Sequence, residues 1–497
     1  MSLFRTARRS AAISSLRRFS KHNKNLTNMK SPQSPSQYAH TRSLEVVDPT
    51  VFKLLRQEEI RQKSCLNLIA SENIMSPAVL DALGSVVQNK SSEGYPGARY
   101  HSCCTNIDKI ETLCQSRALE AFGLRGEEWS VNVQSMSGSN ANLYVYSALL
   151  ECHDRIMGLD LAHGGHLTHG YRKGRKKVSN TSKYFETLPY YLDSRTGLID
   201  YDSLEALAEQ YQPRIIVAGT SAYSRLIDYA RIKKITSKID AYLMSDISHI
   251  SGLVVAGLIP SPFEHSDIVT SSTAKLLQGP RGGIIFCRRG SKRTGAGTIE
   301  NAINASVFPG HQSSPHNNTT AALSVALQQA IRPEFKQYQK QVLLNAKALA
   351  ETLTKLGYSL ASGGTDTHLV LLDLKPNGID GGRLEQVLET VGVASNRNVL
   401  YGDTSAKEPR GLRIGSPAMT ARGVGTQGFV EVAKLIDRAV EVTQKLSFQA
   451  RKQAEGAGEK EPADLKHFFQ FIQENNGNDM IRELRAEIAS WVKQFAT

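Results

Sequence analysis

The chain has 497 residues, 40% hydrophobic and 22% charged, with a formal net charge of +13. That length calls for at least two domains with ample core, the composition is that of a globular protein, and no apolar run approaches the ~20 residues that span a bilayer. The charge is unevenly placed. Nine lysines and arginines and no acid precede Glu45, which leaves +4 for everything after it, so neither a membrane nor a nucleic-acid partner is expected of the body of the chain.

In chain order, the acid-free, Arg- and Ser-rich stretch from Phe4 to Phe19 has the make-up of a mitochondrial transit peptide. The alternative is a disordered basic arm. A polar linker, Lys30 to Pro35, follows. The pattern then predicts a helix over 49–63, a short apolar segment over 65–70, a helix over 80–87, a loop over 92–100 and a helix over 107–122. Strands are expected at 131–133, 155–159, 214–218 and 241–244, with helices over 204–209 and 230–237 between them. Such alternation makes a mostly parallel α/β sheet with ligands at the carboxyl ends of its strands. A long helical region over 319–357 leads to a strand at 368–374, a helix over 381–391, a polar loop over 402–409 and a helical C-terminus from Phe429. The expected division is 1–44 for transit peptide and linker, 45–330 for an N-terminal arm and large cofactor-binding domain, and 331–497 for a smaller C-terminal domain. The six cysteines, at 65, 103, 104, 114, 152 and 287, form no C-x-x-C pair. Neither a metal site nor a disulfide framework is expected, and a reducing compartment fits.

The chemistry centres on Ser271-Ser272-Thr273-Ala274-Lys275 and the turn Gly279-Pro280-Arg281-Gly282-Gly283. A lysine on a short connection between two apolar strands, among small hydroxyl residues, suits a Schiff-base nucleophile with a phosphate nearby; an ordinary surface lysine is the alternative. Upstream, an apolar run ends on Asp246, where a carboxylate can face a pyridinium nitrogen. Ser137-Gly138-Ser139 opens a helix, which serves either as a plain cap or as a phosphate cradle.

In this order these stretches resemble a pyridoxal-phosphate enzyme of fold type I, the aspartate-aminotransferase-like fold. Leu68–Asn73, Ser92–Gly97, Gly164–Gly170, Thr220–Tyr223, Ser362–His368 and Gly411–Ala418 narrow the resemblance to serine hydroxymethyltransferase, over nearly the whole chain from Asp48. The resemblance implies interconversion of serine and glycine, with pyridoxal 5'-phosphate as cofactor and tetrahydrofolate as co-substrate, in a mitochondrial homo-oligomer (a dimer or tetramer, with a paralogue as another possible partner). It implies that Lys275 bonds the cofactor, that Asp246 pairs with its ring nitrogen, and that His166 stacks on the ring. Ser221 and His249 would lie near its phenolic oxygen, and Ser137, Gly138 and Ser139 would hold its phosphate. Arg413 and Ser71 would take the substrate carboxylate, and Glu93 would serve as acid/base. Leu161, Gly165, Leu167 and Asn398 would meet the folate. Glu93, His101, Ser313 and Ser314 would be lent by a neighbouring copy.

Several positions depart from the family pattern. Ala274 and Leu276 flank the lysine where the family has histidine and a hydroxyl residue. Ser91 and His101 stand for tyrosines, and Ser102-Cys103 and Ser313-Ser314 for glycine pairs. Two other readings therefore stand beside the enzyme: a catalytically silent binding or regulatory subunit, and a folate-independent aldolase.

Overall fold

The computed structural model describes residues 43–290, 297–403, 408–456 and 464–495, so the expected transit peptide lies outside it. The chain forms two compact units, one ending at Cys65 and one from Leu66 to Phe495. The first contains helix α1 (Pro49–Ser64), capped by Asp48, which accepts from the Val51 N–H, with Pro49 in the first turn. Proline suits that turn because its missing N–H would have no helical partner there. No residue of α1 is buried.

The second unit is built on a seven-stranded sheet. Its strands are β1 (Trp129–Asn132), β2 (Arg155–Leu159), β3 (Glu186–Tyr190), β4 (Ile215–Gly219), β5 (Tyr242–Asp246), β6 (Ile268–Ser272) and β7 (Gly283–Arg288). The order is β1-β7-β6-β5-β4-β2-β3, and β7 alone runs antiparallel to its neighbours. Both faces are covered, and the alternation of side chains shows it. Along β7, Ile284 and Phe286 join Trp129 and Phe263 on one face, while Ile285 and Cys287 join Tyr144 and Val145 on the other. Helices α2 (Thr105–Ala121), α3 (Gly138–Leu149), α4 (Tyr201–Tyr211) and α5 (Tyr229–Lys238) supply these layers.

Most expected elements stand within a few residues of their predicted bounds, and the exceptions have local causes. The helix expected over 80–87 is Pro77–Leu83, stopped at Gly84, with a separate 3-10 turn at Val86–Asn89. The single helical region expected over 319–357 is two helices, α6 (Asn317–Ala330) and α7 (Pro333–Lys355). Pro333 can begin a helix but cannot continue one, and it biases Arg332 to the extended conformation seen there (φ −76°, ψ 149°).

A second sheet of four antiparallel strands follows, in the order β8 (Ser359–Leu360), β9 (Leu369–Asp373), β11 (Gly411–Gly415), β10 (Asn396–Asn398). Helices α8 (Gly381–Thr390), α9 (Thr426–Gly456), α10 (Leu465–Glu474) and α11 (Asp479–Lys493) share its core through Phe429, Phe468 and Leu484. What matters for function is that β4, β5 and β6 are adjacent and parallel. Thr220-Ser221, Asp246 and Lys275 therefore emerge side by side at their carboxyl ends.

Candidate active site

Lys275 sits three residues past β6 in a loop held from several sides. Gly279 N–H donates to the Thr273 carbonyl at 2.9 Å, Asn73 Nδ2 donates to the Lys275 carbonyl at 3.1 Å, and Gln339 Nε2 to the Leu276 carbonyl at 2.9 Å. Burial, with Arg413 and Arg281 adding to it and Asp246 opposing, brings the Lys275 amine down to about 8. A cavity of about 180 Å³ surrounds it, lined by Ser137, Gly138, Ser139, His166, Thr220, Asp246, Ser248, His249 and Ser272.

Asp246 closes β5 and is buried. Its Oδ1 accepts from the Ser248 N–H (3.0 Å) and hydroxyl (2.6 Å), and its Oδ2 from Asn142 Nδ2 (2.8 Å) and His169 Nε2 (3.2 Å). Burial favours the neutral acid, but these donors and the neighbouring histidines prevail and hold the carboxyl well below the usual range. His169 Nδ1 accepts from the His166 N–H at 3.3 Å, which leaves the ring hydrogen on Nε2, facing the carboxylate. Asn142 also donates to the Thr168 hydroxyl (2.9 Å), and that hydroxyl lies 2.7 Å from His166 Nδ1. Burial, the largest cause, lowers His166 to about 4, so it is a neutral ring at the cavity wall.

The opposite part of the cavity is made for an anion. Ser137 caps α3, accepting from the Asn140 N–H at 3.1 Å, so the first turn of this twelve-residue helix opens on the cavity. A Cβ on Gly138 would come within 3.1 Å of Ser272 Cβ and 3.3 Å of Ser248 Oγ, so a side chain there would crowd both serines and glycine lets the backbone lie close. Ser272 Oγ is buried with no hydrogen-bond partner. An orphaned hydroxyl beside helix N-terminal N–H groups fits a phosphate, and an anionic Asp246 near a lysine whose amine is brought down to about 8 fits a pyridinium aldehyde. On both counts the residues present suit pyridoxal phosphate.

Arg413, on β11, is the other unusual charge. Its guanidinium donates to Asn396 Oδ1 (3.0 Å) and the Ser221 carbonyl (2.7 Å), and among the described residues no carboxylate pairs with it. Burial lowers it to about 10. A half-buried guanidinium bound only to neutral oxygens has the chemistry to receive a carboxylate. Ser71 follows Ala70, which packs so tightly on Gly415 that a Cβ there would fall 2.6 Å from Ala70 Cα. Ser221 Oγ lies 3.4 Å from His249 Nε2.

Other expected residues gather elsewhere. Glu93, His101, Ser313 and Ser314 do not line the Lys275 cavity. They form a second group: His101 Nδ1 accepts from the Glu93 N–H at 3.4 Å, and Ser314 Oγ from the Ser92 N–H at 3.3 Å. A buried pair, Arg99 with Glu111 at 2.6 Å, fastens the hairpin that follows Glu93, since Arg99 also donates to the Ser92 carbonyl at 2.8 Å. Leu161 and Leu167 open two 3-10 turns around Gly164-Gly165, where a Cβ on Gly165 would strike the Leu159 carbonyl. Leu167 is exposed, and Asn398 ends β10 opposite Gly411. Of the departures, Leu276 is buried in an apolar cluster with Leu253 and Val342, which explains an aliphatic residue there. Ser91, Ser102, Cys103 and Ser313 are exposed.

Sequence reasoning left out Asn142, Thr168, His169, Ser248, Ser272 and His368. His169 stood in the quoted motif three residues after His166, the spacing that brings two side chains to one side of a turn. Ser272 stood beside the lysine in the quoted hydroxyl run.

The sequence profile of the serine hydroxymethyltransferase family matches residues 44–436. The chain belongs to the serine hydroxymethyltransferase family. A mitochondrial relative from Neurospora crassa, named for the same activity, is 56% identical over 465 residues, covering 91% of this chain and 85% of its own length. The mitochondrial serine hydroxymethyltransferase of Schizosaccharomyces pombe is 52% identical over 454 residues (90% of this chain, 92% of the relative). The cytosolic one of Aspergillus fumigatus is 52% identical over 461 residues (91% and 96%). The family is pyridoxal-phosphate-dependent with fold type I, in keeping with the sheet described above, and it uses a folate. Among the described residues no helix is long and apolar enough to cross a membrane.

Proposed function

We propose that the Lys275 cavity binds pyridoxal phosphate and that the chain interconverts serine and glycine there, passing the one-carbon unit to tetrahydrofolate. The observation that carries this reading is that one small cavity keeps Asp246 anionic while bringing the Lys275 amine down to about 8. When bound, pyridoxal phosphate supplies an electron sink for the carbanion that develops at the substrate Cα. Lys275, its amine brought down to about 8, would supply the nitrogen that bonds the cofactor aldehyde, and Asp246 would keep a proton on the ring nitrogen. His166 would stack on the ring, and His249 and Ser221 would lie near its phenolic oxygen. Ser137, Gly138, Ser139 and Ser272 take the phosphate. Arg413, with Ser71, orients the serine carboxylate, and Glu93 moves the proton of the serine hydroxyl. Leu161, Gly165, Leu167 and Asn398 form the folate site.

Glu93, His101, Ser313 and Ser314 act on the cavity of a second copy in a homodimer or higher oligomer, or of a paralogue. Their absence from the cavity wall of their own chain supports this, as does the exposure of Tyr100 (85%) beside His101. We also propose a division near residue 330 into a cofactor-binding part and a smaller C-terminal part, and a mitochondrial matrix location. The location is supported by the basic start of the chain and by the mitochondrial relatives, beside which cytosolic ones also match.

The test is to incubate the purified protein with serine, pyridoxal phosphate and tetrahydrofolate. Glycine forming together with the one-carbon folate is the expected result. Cleavage of β-hydroxy amino acids that ignores folate would point instead to the aldolase. No turnover and no cofactor uptake would point to a silent subunit.

A further inference from the structure

His368 stands just before β9, fully buried, and touches three separate parts of the site. Its Nε2 lies 3.1 Å from the Ala70 carbonyl oxygen and 3.5 Å from His249 Nδ1, and the two rings stack with centroids 5.6 Å apart and planes 20° apart. Its own carbonyl accepts from the Ser416 N–H at 3.0 Å. Its Nδ1 has no partner.

These contacts fix where the hydrogens are. A carbonyl can only accept, so His368 Nε2 carries the hydrogen. Burial first, with Arg413 and Lys275 adding to it, lowers His368 to about 3, and the same causes hold His249 well below its usual value, so both rings are neutral. A hydrogen on His249 Nδ1 would point at the hydrogen of His368. His249 Nδ1 is therefore bare, and its single hydrogen is on Nε2, 3.4 Å from Ser221 Oγ and at the wall of the Lys275 cavity. An apolar side chain at 368 would spare the burial of an orphaned Nδ1, so what the histidine contributes is its one donor.

We propose that His368 is a positioning residue for His249, holding it as the Nε2–H tautomer with that hydrogen aimed at Ser221 and the cavity. The inference rests on the reading of that cavity as the cofactor site. The same ring joins the substrate side to the cofactor side, because Ala70 precedes Ser71 and packs on Gly415, two residues past Arg413.

The test uses the full chain labelled with ¹⁵N-histidine, with His249→Asn identifying the His249 signals by their loss. Wild type is expected to show a bare Nδ1 and a protonated Nε2 on His249 across neutral pH. His368→Gln places an amide donor near the lost Nε2 and is expected to keep that pattern. His368→Leu has no donor and is expected to move hydrogen onto His249 Nδ1 and to lower kcat for serine about 10²-fold with a much smaller change in KM, most of it recovered in the glutamine variant. A protonated Nδ1 on His249 in wild type overturns the proposal without any variant. So does a folded leucine variant that keeps both the wild-type tautomer and its kcat. Failure of wild type to bind pyridoxal phosphate would overturn the reading of the cavity while leaving the tautomer result standing, so the two failures are told apart.

Discussion

Lys275 is useful only while its amine is free. The group loses its proton near pH 8, so below that pH the nucleophilic fraction falls about tenfold per unit, and above it the fraction levels off. The rate of pyridoxal phosphate uptake by cofactor-free protein is therefore expected to rise with pH and flatten past about 8; stopped-flow absorbance across that range checks it. Ser272 gives a second prediction. Its orphaned hydroxyl gains a charge-assisted bond only when a phosphate arrives, so Ser272→Ala should weaken cofactor binding by about 1.5–3 kcal/mol, one to two decades in Kd, with little effect on the stability of the free protein. Equal loss of stability in cofactor-free protein would contradict that account. At this scale the sequence was legible where a residue type carries its own chemistry, as for Lys275, Asp246 and Arg413. It was not legible where the role comes from a partner far along the chain. Asn142 matters because folding brings it within 2.8 Å of a carboxylate 104 residues away, and no local pattern marks that.

At the scale of elements, strands β2, β4 and β5 could be read because both faces are buried along nearly their whole length, which writes continuous apolar runs into the chain, whereas β3, half-buried at Glu186, Leu188 and Pro189, could not. The position of β7 could not, since its antiparallel insertion between β1 and β6 depends on pairing across more than 130 residues. The hairpin after Glu93 was read only as a loop. Its rigidity comes from Arg99 and Glu111, whose side chains are 4% and 3% exposed. Removing one member of such a pair leaves the other charge buried, at a cost of about 3–5 kcal/mol. Arg99→Met is therefore expected to lower the denaturant midpoint and to cut kcat through Glu93, while a variant replacing both charges with apolar residues regains much of the stability. If the single variant is as stable as wild type, the hairpin is held by something else.

At the scale of the whole molecule, the Glu93–His101–Ser314 group does not line the Lys275 cavity of its own chain, and the proposed function makes the two groups halves of a site shared between copies. This arrangement predicts that activity depends on assembly, so dilution below the dissociation constant of the oligomer should lower specific activity in step with dissociation followed by sedimentation. It also concentrates the departures, because Ser91, His101, Ser313 and Ser314 all lie in the second group. Ser91 lacks the reach of a tyrosine, and a serine pair replaces glycines whose backbone could approach a phosphate. Ser91→Tyr with Ser313→Gly and Ser314→Gly should therefore tighten pyridoxal phosphate by about one to two decades. A triple variant no tighter than wild type under equilibrium dialysis would mean that these substitutions do not govern the cofactor.

The most direct measurement is the visible absorbance of the purified protein with pyridoxal phosphate, before and after borohydride reduction, in wild type and in Lys275→Ala. Wild type should show the shifted band of cofactor bonded to an amine, with reduction fixing it to the peptide that contains Lys275, and Lys275→Ala should show neither. A band and a labelled peptide unchanged in Lys275→Ala would contradict the assignment on which the account is built.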